Sequence, residues 1–189
     1  MEDLGLDPKL VDKSLDFKKV NDNKKKLYAA LDLGTNSCRM LIARPTGSRF
    51  EIVDAFSKSI RLGLDLERTG ELSQAGISRA LQALHVCAKK LNKFGVRNSR
   101  LVATEACRRS KNGKSFLSKV KKETGLTLEL IKPEEEARLA VISCAPLFDP
   151  NFSHVLIVDI GGGSTELVWM DLSEVPKEKR IAEMLKLQL

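Results

Sequence analysis

The order of strand-like and helix-like segments predicts a mixed α/β fold, and three observations support this prediction. Three β-prone runs come first, at residues 27–33, 38–44 and 50–57. They are separated by turns at Gly34 and at residues 45–48, which is typical of antiparallel hairpins. Alternating helical and extended segments follow, and the strand–glycine–strand pattern then returns after Asn151. This order indicates a mixed sheet flanked by helices.

A long helix is predicted after the third strand. Ser73 is a suitable N-cap, and apolar residues then repeat at helical spacing down to Phe94-Gly95. The repeating residues are Ile77, Leu81, Leu84, Ala88 and Leu91. Glycine directly after the last apolar residue is a common helix end, which places this helix close to residues 74–94.

The remaining elements alternate until the second glycine turn. Residues 100–103 and 127–131 are predicted strands, and residues 114–123 form a predicted helix that ends at Gly125. Pro133 occupies the first position of the next predicted helix, residues 134–142, where proline is favoured. The last predicted strands, at residues 154–158 and 165–170, form a hairpin around Gly161-Gly162-Gly163.

This pattern divides the chain into three parts. Residues 1–26 are a polar leader with one short predicted helix at 8–17. Residues 27–150 form the first α/β unit, and residues 151–189 form the start of a second, similar unit. The second part consists of the glycine hairpin and a charged, helix-prone tail.

The composition is that of a globular protein. Of the 189 residues, 42% are hydrophobic and 30% are charged, which argues against a disordered chain. No apolar run approaches the roughly 20 residues of a membrane helix, and no secretory signal begins the sequence. The four cysteines lack a CxxC pair and are expected to be reduced and mostly buried. We therefore expect a cytoplasmic protein without a membrane partner.

The net charge of +7 is concentrated in one stretch. Residues 86–125 contain twelve lysines and arginines but only two carboxylates, Glu105 and Glu123. Such a stretch attracts polyanions, although solvated helix faces explain most of these lysines equally well. Only Phe94 and Phe116 are aromatic there, so stacking on nucleic-acid bases, and with it a specific nucleic-acid partner, is not predicted.

Two glycine-bearing segments, residues 31–37 and 158–166, carry the functional prediction. Each places an aspartate, glycines and hydroxyl side chains directly after an apolar strand. Such a turn lets backbone N–H groups approach a phosphate, and the aspartate can hold a divalent cation. One such turn alone is also an ordinary hairpin, but two that face each other would clamp a polyphosphorylated ligand. The predicted phosphate contacts are Gly34, Thr35, Asn36, Ser37, Gly161, Gly162, Gly163 and Ser164.

Four motifs occur in an order that resembles a known family. They are Leu31-Asp32-Leu33-Gly34-Thr35-Asn36-Ser37, Ala103-Thr104-Glu105-Ala106-Cys107-Arg108, Glu135-Glu136-Ala137-Arg138 and Val158-Asp159-Ile160-Gly161-Gly162-Gly163-Ser164-Thr165-Glu166. Together they resemble the exopolyphosphatase / guanosine pentaphosphate phosphohydrolase family of the actin-like phosphotransfer superfamily. The resemblance covers roughly residues 27–170.

The resemblance implies an actin-like (ribonuclease H-like) fold, a mixed sheet flanked by helices in each of two lobes, with the active site between them. In this chain the first lobe is complete and the second has only begun, because residues 173–189 do not resemble a continuation. Members of the family use magnesium to release terminal phosphate from inorganic polyphosphate, or the γ-phosphate from guanosine pentaphosphate. Inorganic polyphosphate is the preferred substrate prediction, and guanosine pentaphosphate is the alternative.

The resemblance also assigns roles to individual residues. It implies that Glu136 is the catalytic base and that Arg108 faces the phosphate. Asp32, Asp159 and Glu166 would hold Mg²⁺. From the residues alone, an acidic residue in a first helical turn is also favoured by the helix dipole, and an aspartate before a glycine is a common turn former.

Two other classes of function remain open at this stage. An actin-like kinase or ATPase would need a nucleotide pocket from a fuller second lobe. An inactive, truncated fragment could bind polyphosphate without cleaving it. The unpaired strand edge at residues 165–170 also predicts self-association, for example as a homodimer, unless the tail covers it.

Overall fold

A five-stranded sheet forms the first part of the molecule, with the strand order β3-β2-β1-β4-β5. The strands are β1 (Tyr28–Leu33), β2 (Ser37–Thr46), β3 (Arg49–Ser59), β4 (Asn98–Ala103) and β5 (Glu129–Leu130). β2 is antiparallel to both β1 and β3, whereas β1, β4 and β5 are parallel to one another. The predicted mixed sheet is therefore confirmed, although β5 is shorter than the predicted strand at 127–131.

The computed structural model describes residues 26–47 and 49–187. Apart from its last residue, the predicted leader, including the helix at 8–17, lies outside the described residues. None of the helices in the described part is both long enough and apolar enough to cross a membrane.

Six α-helices accompany the strands in the described part of the chain. They are α1 (Leu66–Thr69), α2 (Gln74–Lys93), α3 (Glu105–Arg109), α4 (Gly113–Thr124), α5 (Pro133–Cys144) and α6 (Arg180–Leu185). The predicted α2, α4 and α5 are confirmed, and Ser73 caps α2 by accepting a hydrogen bond from the Gly76 N–H at 3.2 Å. The sequence did not predict α1 and α3, because each spans little more than one turn and has no repeating apolar pattern.

The main sheet is packed on one face only. In β1 the side chains alternate, so Ala29, Leu31 and Leu33 are buried while Tyr28 and Asp32 point to the open side. The buried side contacts α2 and α4 in one large apolar core. Because Asp32 lies near the carboxyl end of β1 on the open face, it is free to take part in a site.

The four cysteines are free in this fold. Cys38, Cys87 and Cys107 are buried and Cys144 is half-buried, with no disulfide among the four. The prediction that the cysteines are mostly buried is confirmed, and their reduced state stays a prediction.

The second part of the molecule begins with the hairpin of β6 (His154–Ile160) and β7 (Thr165–Asp171). One face of the hairpin packs on α5 and α6 through a small core that includes Ile157, Val141 and Met184. The other face exposes five large apolar side chains, Leu156, Val158, Ile160, Leu167 and Trp169. Self-association through this hairpin stays a prediction.

Arg180, the first residue of α6, links this helix to the loop before β6 and to the segment after β7. Its side chain is buried, and the guanidinium donates hydrogen bonds of 2.9–3.1 Å to four backbone carbonyls. The acceptors are the carbonyl oxygens of Pro150, Phe152, Leu172 and Val175. A single side chain therefore joins the loop before β6, the end of β7 and α6.

We expect Arg180→Met to lower the free energy of unfolding by about 3 kcal/mol, because four carbonyls lose their donors at once. Denaturant unfolding followed by circular dichroism measures the change. Lys179→Met is the matched control, since Lys179 is exposed and adjacent in sequence. Equal midpoints for the two variants would contradict a structural role for Arg180.

Candidate active site

The two glycine segments form the same turn. The Gly34 N–H donates to the Ser37 carbonyl oxygen at 2.9 Å, between β1 and β2. The Gly161 N–H donates to the Ser164 carbonyl oxygen at the same distance, between β6 and β7. The repeat seen in the sequence is therefore also a repeat of backbone geometry, one copy in each part of the molecule.

The two turns are packed directly against each other. A Cβ atom added to Gly162 would lie 2.7 to 3.0 Å from side-chain atoms of Asn36. A Cβ atom added to Gly163 would lie 2.8 Å from the Thr35 hydroxyl oxygen. Contacts this short require a side chain to shift, so glycine at these positions lets the turns approach. The predicted phosphate loops therefore meet in one place.

A cluster of carboxylates lies beside these turns. Asp159 is directly opposite Glu166 in the β6–β7 ladder, an arrangement of like charges that destabilises a hairpin. In the first hairpin the equivalent partner of Asp32 is Arg39, a cation. The Glu166 Oε2 atom is buried and has no hydrogen-bond partner among the described residues. The second hairpin thus holds an uncompensated acidic pair.

Asp32 joins this cluster from the first hairpin. Asp32 is exposed on the open face of the sheet, at the end of β1 that leads into the first turn. Crowding by surrounding protein atoms raises the pKa of Asp32 above its usual 3.8, Arg39 opposes the shift, and Asp159 adds to it. The aspartates of the two turns are therefore close enough for the charge of Asp159 to act on Asp32.

Glu136 approaches the same cluster from α5. Pro133 begins this helix at its first position, and Glu136 lies one turn along it with 20% of its side chain exposed. Burial is the main reason that the pKa of Glu136 is raised above 4.5, and Glu166 and Asp32 raise it further. Arg108 lowers it. The structure therefore brings the predicted base to the carboxylates of both turns.

Arg108 holds Glu136 from the other side. α3 begins directly after β4, and the guanidinium of Arg108 reaches Glu136 Oε2 from both terminal nitrogens at 3.3 Å. It also donates to Glu105 Oε2 at 2.6 Å and to the Ile131 carbonyl oxygen at 2.8 Å. The adjacent Arg109 turns outward to Glu67, at 2.6 Å. Neighbouring arginines thus point in different directions, as the sequence predicts.

Of the three successive glutamates in α5, Glu136 is the one that interacts with the carboxylates of the turns. Glu135 pairs with Arg138 at 2.6 Å and with Arg100 at 2.8 Å, and these two cations lower its pKa to about 2. A carboxylate held this way is a structural ion-pair partner. The choice of Glu136 over Glu135 therefore has a geometric basis that the sequence alone does not contain.

Sequence reasoning missed Glu105 and Arg39. Glu105 precedes Arg108 by three residues, a spacing that puts both side chains on one helix face, but α3 itself was not predicted. Arg39 pairs with Asp32 in the β1–β2 register, which follows from the symmetry of the hairpin around its turn. The symmetry around the hairpin turn is a signal that identifies Arg39, whereas Glu105 has no such signal without α3.

The residues around the turns fit a magnesium ion, as judged by their donor atoms. Carboxylate oxygens are ligands that Mg²⁺ prefers, and the orphaned Glu166 Oε2 with the opposed Asp159 supplies the chemistry of such a site. Within the described part of the chain, no three acidic, histidine or cysteine side chains converge closely enough to form a complete site. This is compatible with Mg²⁺, which usually uses one or two carboxylates together with water and substrate phosphates.

A strand order of β3-β2-β1-β4-β5, followed by a second glycine hairpin, agrees with the actin-like fold that the sequence predicts. Residues 41–180 match the model of the Ppx/GppA phosphatase family. The chain belongs to the Ppx/GppA phosphatase family.

Solved structures agree with this assignment. The chain is 37% identical to a type II variant of the Aquifex aeolicus Ppx/GppA phosphatase, with a TM-score of 0.67 over 78% of this chain. It is 25% identical to an exopolyphosphatase from Cytophaga hutchinsonii, with a TM-score of 0.73 over 77% of this chain. The match covers 49% and 47% of those two chains, so this chain spans about half the length of its solved relatives.

Proposed function

We propose that the chain carries the phosphohydrolase site of an exopolyphosphatase, which releases terminal phosphate from inorganic polyphosphate. The observation that supports this most is the meeting of the two glycine turns next to Glu136, Arg108 and the carboxylates of both turns. Guanosine pentaphosphate, which also ends in a phosphoanhydride, is the alternative substrate. Membership of the phosphatase family supports both.

In the proposed mechanism the turns position the terminal phosphoryl group. The N–H groups of Gly34 and Gly161 already bond within the turns, so the other backbone N–H groups of the turns would donate hydrogen bonds to its oxygens. The hydroxyls of Thr35, Ser37 and Ser164 would add further donors. Two turns that grip neighbouring phosphoryl groups align the scissile bond and lower the entropic cost of reaction. Asp32, Asp159 and Glu166 are the carboxylates of which one or two would hold Mg²⁺, and the ion would supply positive charge against the phosphate oxygens.

Glu136 is the general base of the proposed reaction. Its carboxylate takes a proton from a water molecule, whose oxygen attacks the terminal phosphorus in line as the bond to the bridging oxygen breaks. The raised pKa of Glu136 makes it a stronger base than an ordinary glutamate. Arg108 favours the ionised form of that carboxylate. The family resemblance implies that Arg108 would also contact the phosphoryl oxygens.

Phosphate release tests the proposal directly. Inorganic polyphosphate and guanosine pentaphosphate are incubated in parallel with the chain, once with Mg²⁺ and once with a chelator. We expect release from polyphosphate that needs Mg²⁺ but no nucleotide, which a kinase or ATPase would not produce. Binding of polyphosphate without release under any condition would favour the inactive fragment instead.

We expect Mg²⁺ to stabilise the chain, and Asp159→Asn to abolish this effect. At a Mg²⁺ concentration 100 times the dissociation constant, the gain is about 2.7 kcal/mol. Without Mg²⁺, Asp159→Asn should be at least as stable as the wild type, because the charge opposite Glu166 is removed. Thermal unfolding with and without Mg²⁺ measures both effects.

Asp171→Asn is the matched control for this experiment, since Asp171 is exposed at the other end of the same hairpin. It should retain the full response to Mg²⁺. Equal stabilisation of Asp159→Asn and wild type would remove Asp159 from the proposed metal site.

A further inference from the structure

Two arginines lie beside the first glycine turn without a carboxylate partner. Arg61 and Arg79, with Ser59 and Leu64, line a surface pocket of about 350 Å³. Among the described residues, neither guanidinium has a carboxylate within 4.0 Å. Both arginines lie outside the basic stretch 86–125, in which Lys90, Arg100, Arg108, Arg109 and Lys119 all form ion pairs.

Backbone hydrogen bonds join this pocket to the first glycine turn. The N–H groups of Ile60 and Arg61 both donate to the Asn36 carbonyl oxygen, at 2.8 and 3.0 Å. The Gly63 N–H donates to the Thr35 carbonyl oxygen at 3.0 Å. Ser59 is the direct partner of Ser37 across the β2–β3 ladder. The pocket is therefore the immediate neighbour of the predicted phosphate loop.

The conformation of Arg61 is unusual. Its φ angle is +46°, in the left-handed region that side chains other than those of glycine, asparagine and aspartate rarely adopt. Its backbone N–H is bonded, and its carbonyl accepts from Arg79 Nη2 at 3.1 Å. Strained residues of this kind cluster at ligand sites, where the surrounding structure holds them in place.

Arg79 completes the pocket from α2. Its Nε donates to the Ile60 carbonyl oxygen at 2.7 Å, and with the bond to Arg61 this fixes the plane of the guanidinium. The two hydrogens on Nη1 have no acceptor among the described residues. Two guanidinium groups that share a pocket repel each other, and an anion between them removes that repulsion and satisfies the free donors.

We propose that this pocket, defined by Ser59, Arg61, Leu64 and Arg79, is a second anion subsite that binds a phosphoryl group of the substrate remote from the cleaved bond. The inference rests on the proposed function, because the glycine turns would hold the reacting end. The inner phosphates of a polyphosphate chain and the 3′-diphosphate of guanosine pentaphosphate share the required chemistry. Either would cross from the first turn to the pocket.

The test removes the Arg61 charge without changing its backbone. Asparagine and aspartate both tolerate a left-handed conformation, so Arg61→Asn and Arg61→Asp form a charge series at constant backbone strain. Each is combined with Glu136→Gln, so that dissociation constants are measured by calorimetry without turnover. The ligands are long-chain polyphosphate against tripolyphosphate, and guanosine pentaphosphate against GTP, which lacks the 3′-diphosphate.

We expect Arg61→Asn to weaken binding of the longer member of at least one pair roughly tenfold, and Arg61→Asp to weaken it more, because a charge-assisted contact is lost or reversed. Binding of tripolyphosphate and GTP should change less than about twofold by the same reasoning. The pair that responds identifies which phosphate occupies the pocket. Lys122→Asn is the control: Lys122 is exposed in the last turn of α4 and has no ion pair among the described residues, so both ratios should stay unchanged.

The subsite would be overturned if the ratio of dissociation constants within each ligand pair were the same in wild type and in both Arg61 variants. It would also be overturned if Lys122→Asn weakened binding of the longer ligands equally, or if none of the four ligands bound at all. Failure of the proposed function is distinguishable. A chain that releases no phosphate but shows the expected ratios has the subsite without the hydrolase activity.

Discussion

Glu136→Gln is expected to lower phosphate release by about 10²- to 10⁴-fold, the contribution typical of a general base, and at the same time to stabilise the fold. Both effects have one cause. Burial and the neighbouring carboxylates Glu166 and Asp32 disfavour the ionised form of Glu136. The native state therefore carries a charge that its surroundings oppose, and glutamine removes both the base and the charge.

The pH dependence distinguishes this origin of stability from others. The pKa of Glu136 is higher in the folded chain than its ordinary value of 4.5, so the folded state binds this proton more tightly than the unfolded state. The proton on Glu136 therefore contributes to the free energy of unfolding below pH 4.5, and this contribution is lost as pH rises through the folded pKa. The advantage of Glu136→Gln should therefore vanish below about pH 4.5 and grow as pH rises through the folded pKa.

Thermal unfolding across this pH range and a phosphate-release assay at neutral pH measure the two effects. Glu135→Gln is the matched control, because Arg138 and Arg100 stabilise the ionised form of Glu135. This control should lose stability at neutral pH and retain turnover. Turnover by Glu136→Gln that equals wild type would end the assignment of the base.

The elements that the sequence predicted well are those with a local physical signal. The hairpins follow from alternating side chains around glycine turns, and α2 follows from its N-cap, its apolar repeat and the glycine behind it. α1 and α3 lack such a signal, because a helix of four or five residues is stabilised by its tertiary contacts. β5 is shorter than predicted because only Glu129 and Leu130 pair with β4. Strand pairing is a tertiary contact, which the local sequence does not show.

The candidate site was predicted in its parts but not in its arrangement. The repeated motif indicated two similar turns, and the structure shows them in contact through Asn36 and Gly162. The family resemblance singled out Glu136, but the residues alone could not, since the choice depends on the ion pairs of Glu135 with Arg100 and Arg138. Arg61 and Arg79 line the same pocket because the loop after β3 packs on α2. The sequence alone does not show this packing. The roles of the site residues stay predictions until the variants are measured.

Glu105, the ion-pair partner of Arg108, was not predicted as a site residue because the short helix α3 was not predicted. With α3 unpredicted, the spacing of Glu105 and Arg108 had no structural meaning in the sequence. In the structure this spacing creates an ion pair at 2.6 Å that leaves Arg108 only part of its charge to share with Glu136. The charge of Arg108 is thus shared between Glu105 and Glu136, and its removal takes an ion-pair partner from both carboxylates.

Arg108→Gln is expected to lower phosphate release at pH 7 by about 10²- to 10³-fold, the cost typical of losing a donor that stabilises charge in the transition state. It should also move the acid limb of the pH–rate profile to higher pH. Arg108 is the group that lowers the pKa of Glu136, so without it burial and the neighbouring carboxylates act unopposed and the base is protonated over a wider range. Activity should therefore recover partly at alkaline pH. Lys114→Gln is the control, since Lys114 is exposed in the first turn of α4 and has no ion pair among the described residues. It should leave both the rate and the profile unchanged. A uniform loss of rate without a shifted limb would mean that Arg108 contacts phosphate but does not set the ionisation of Glu136.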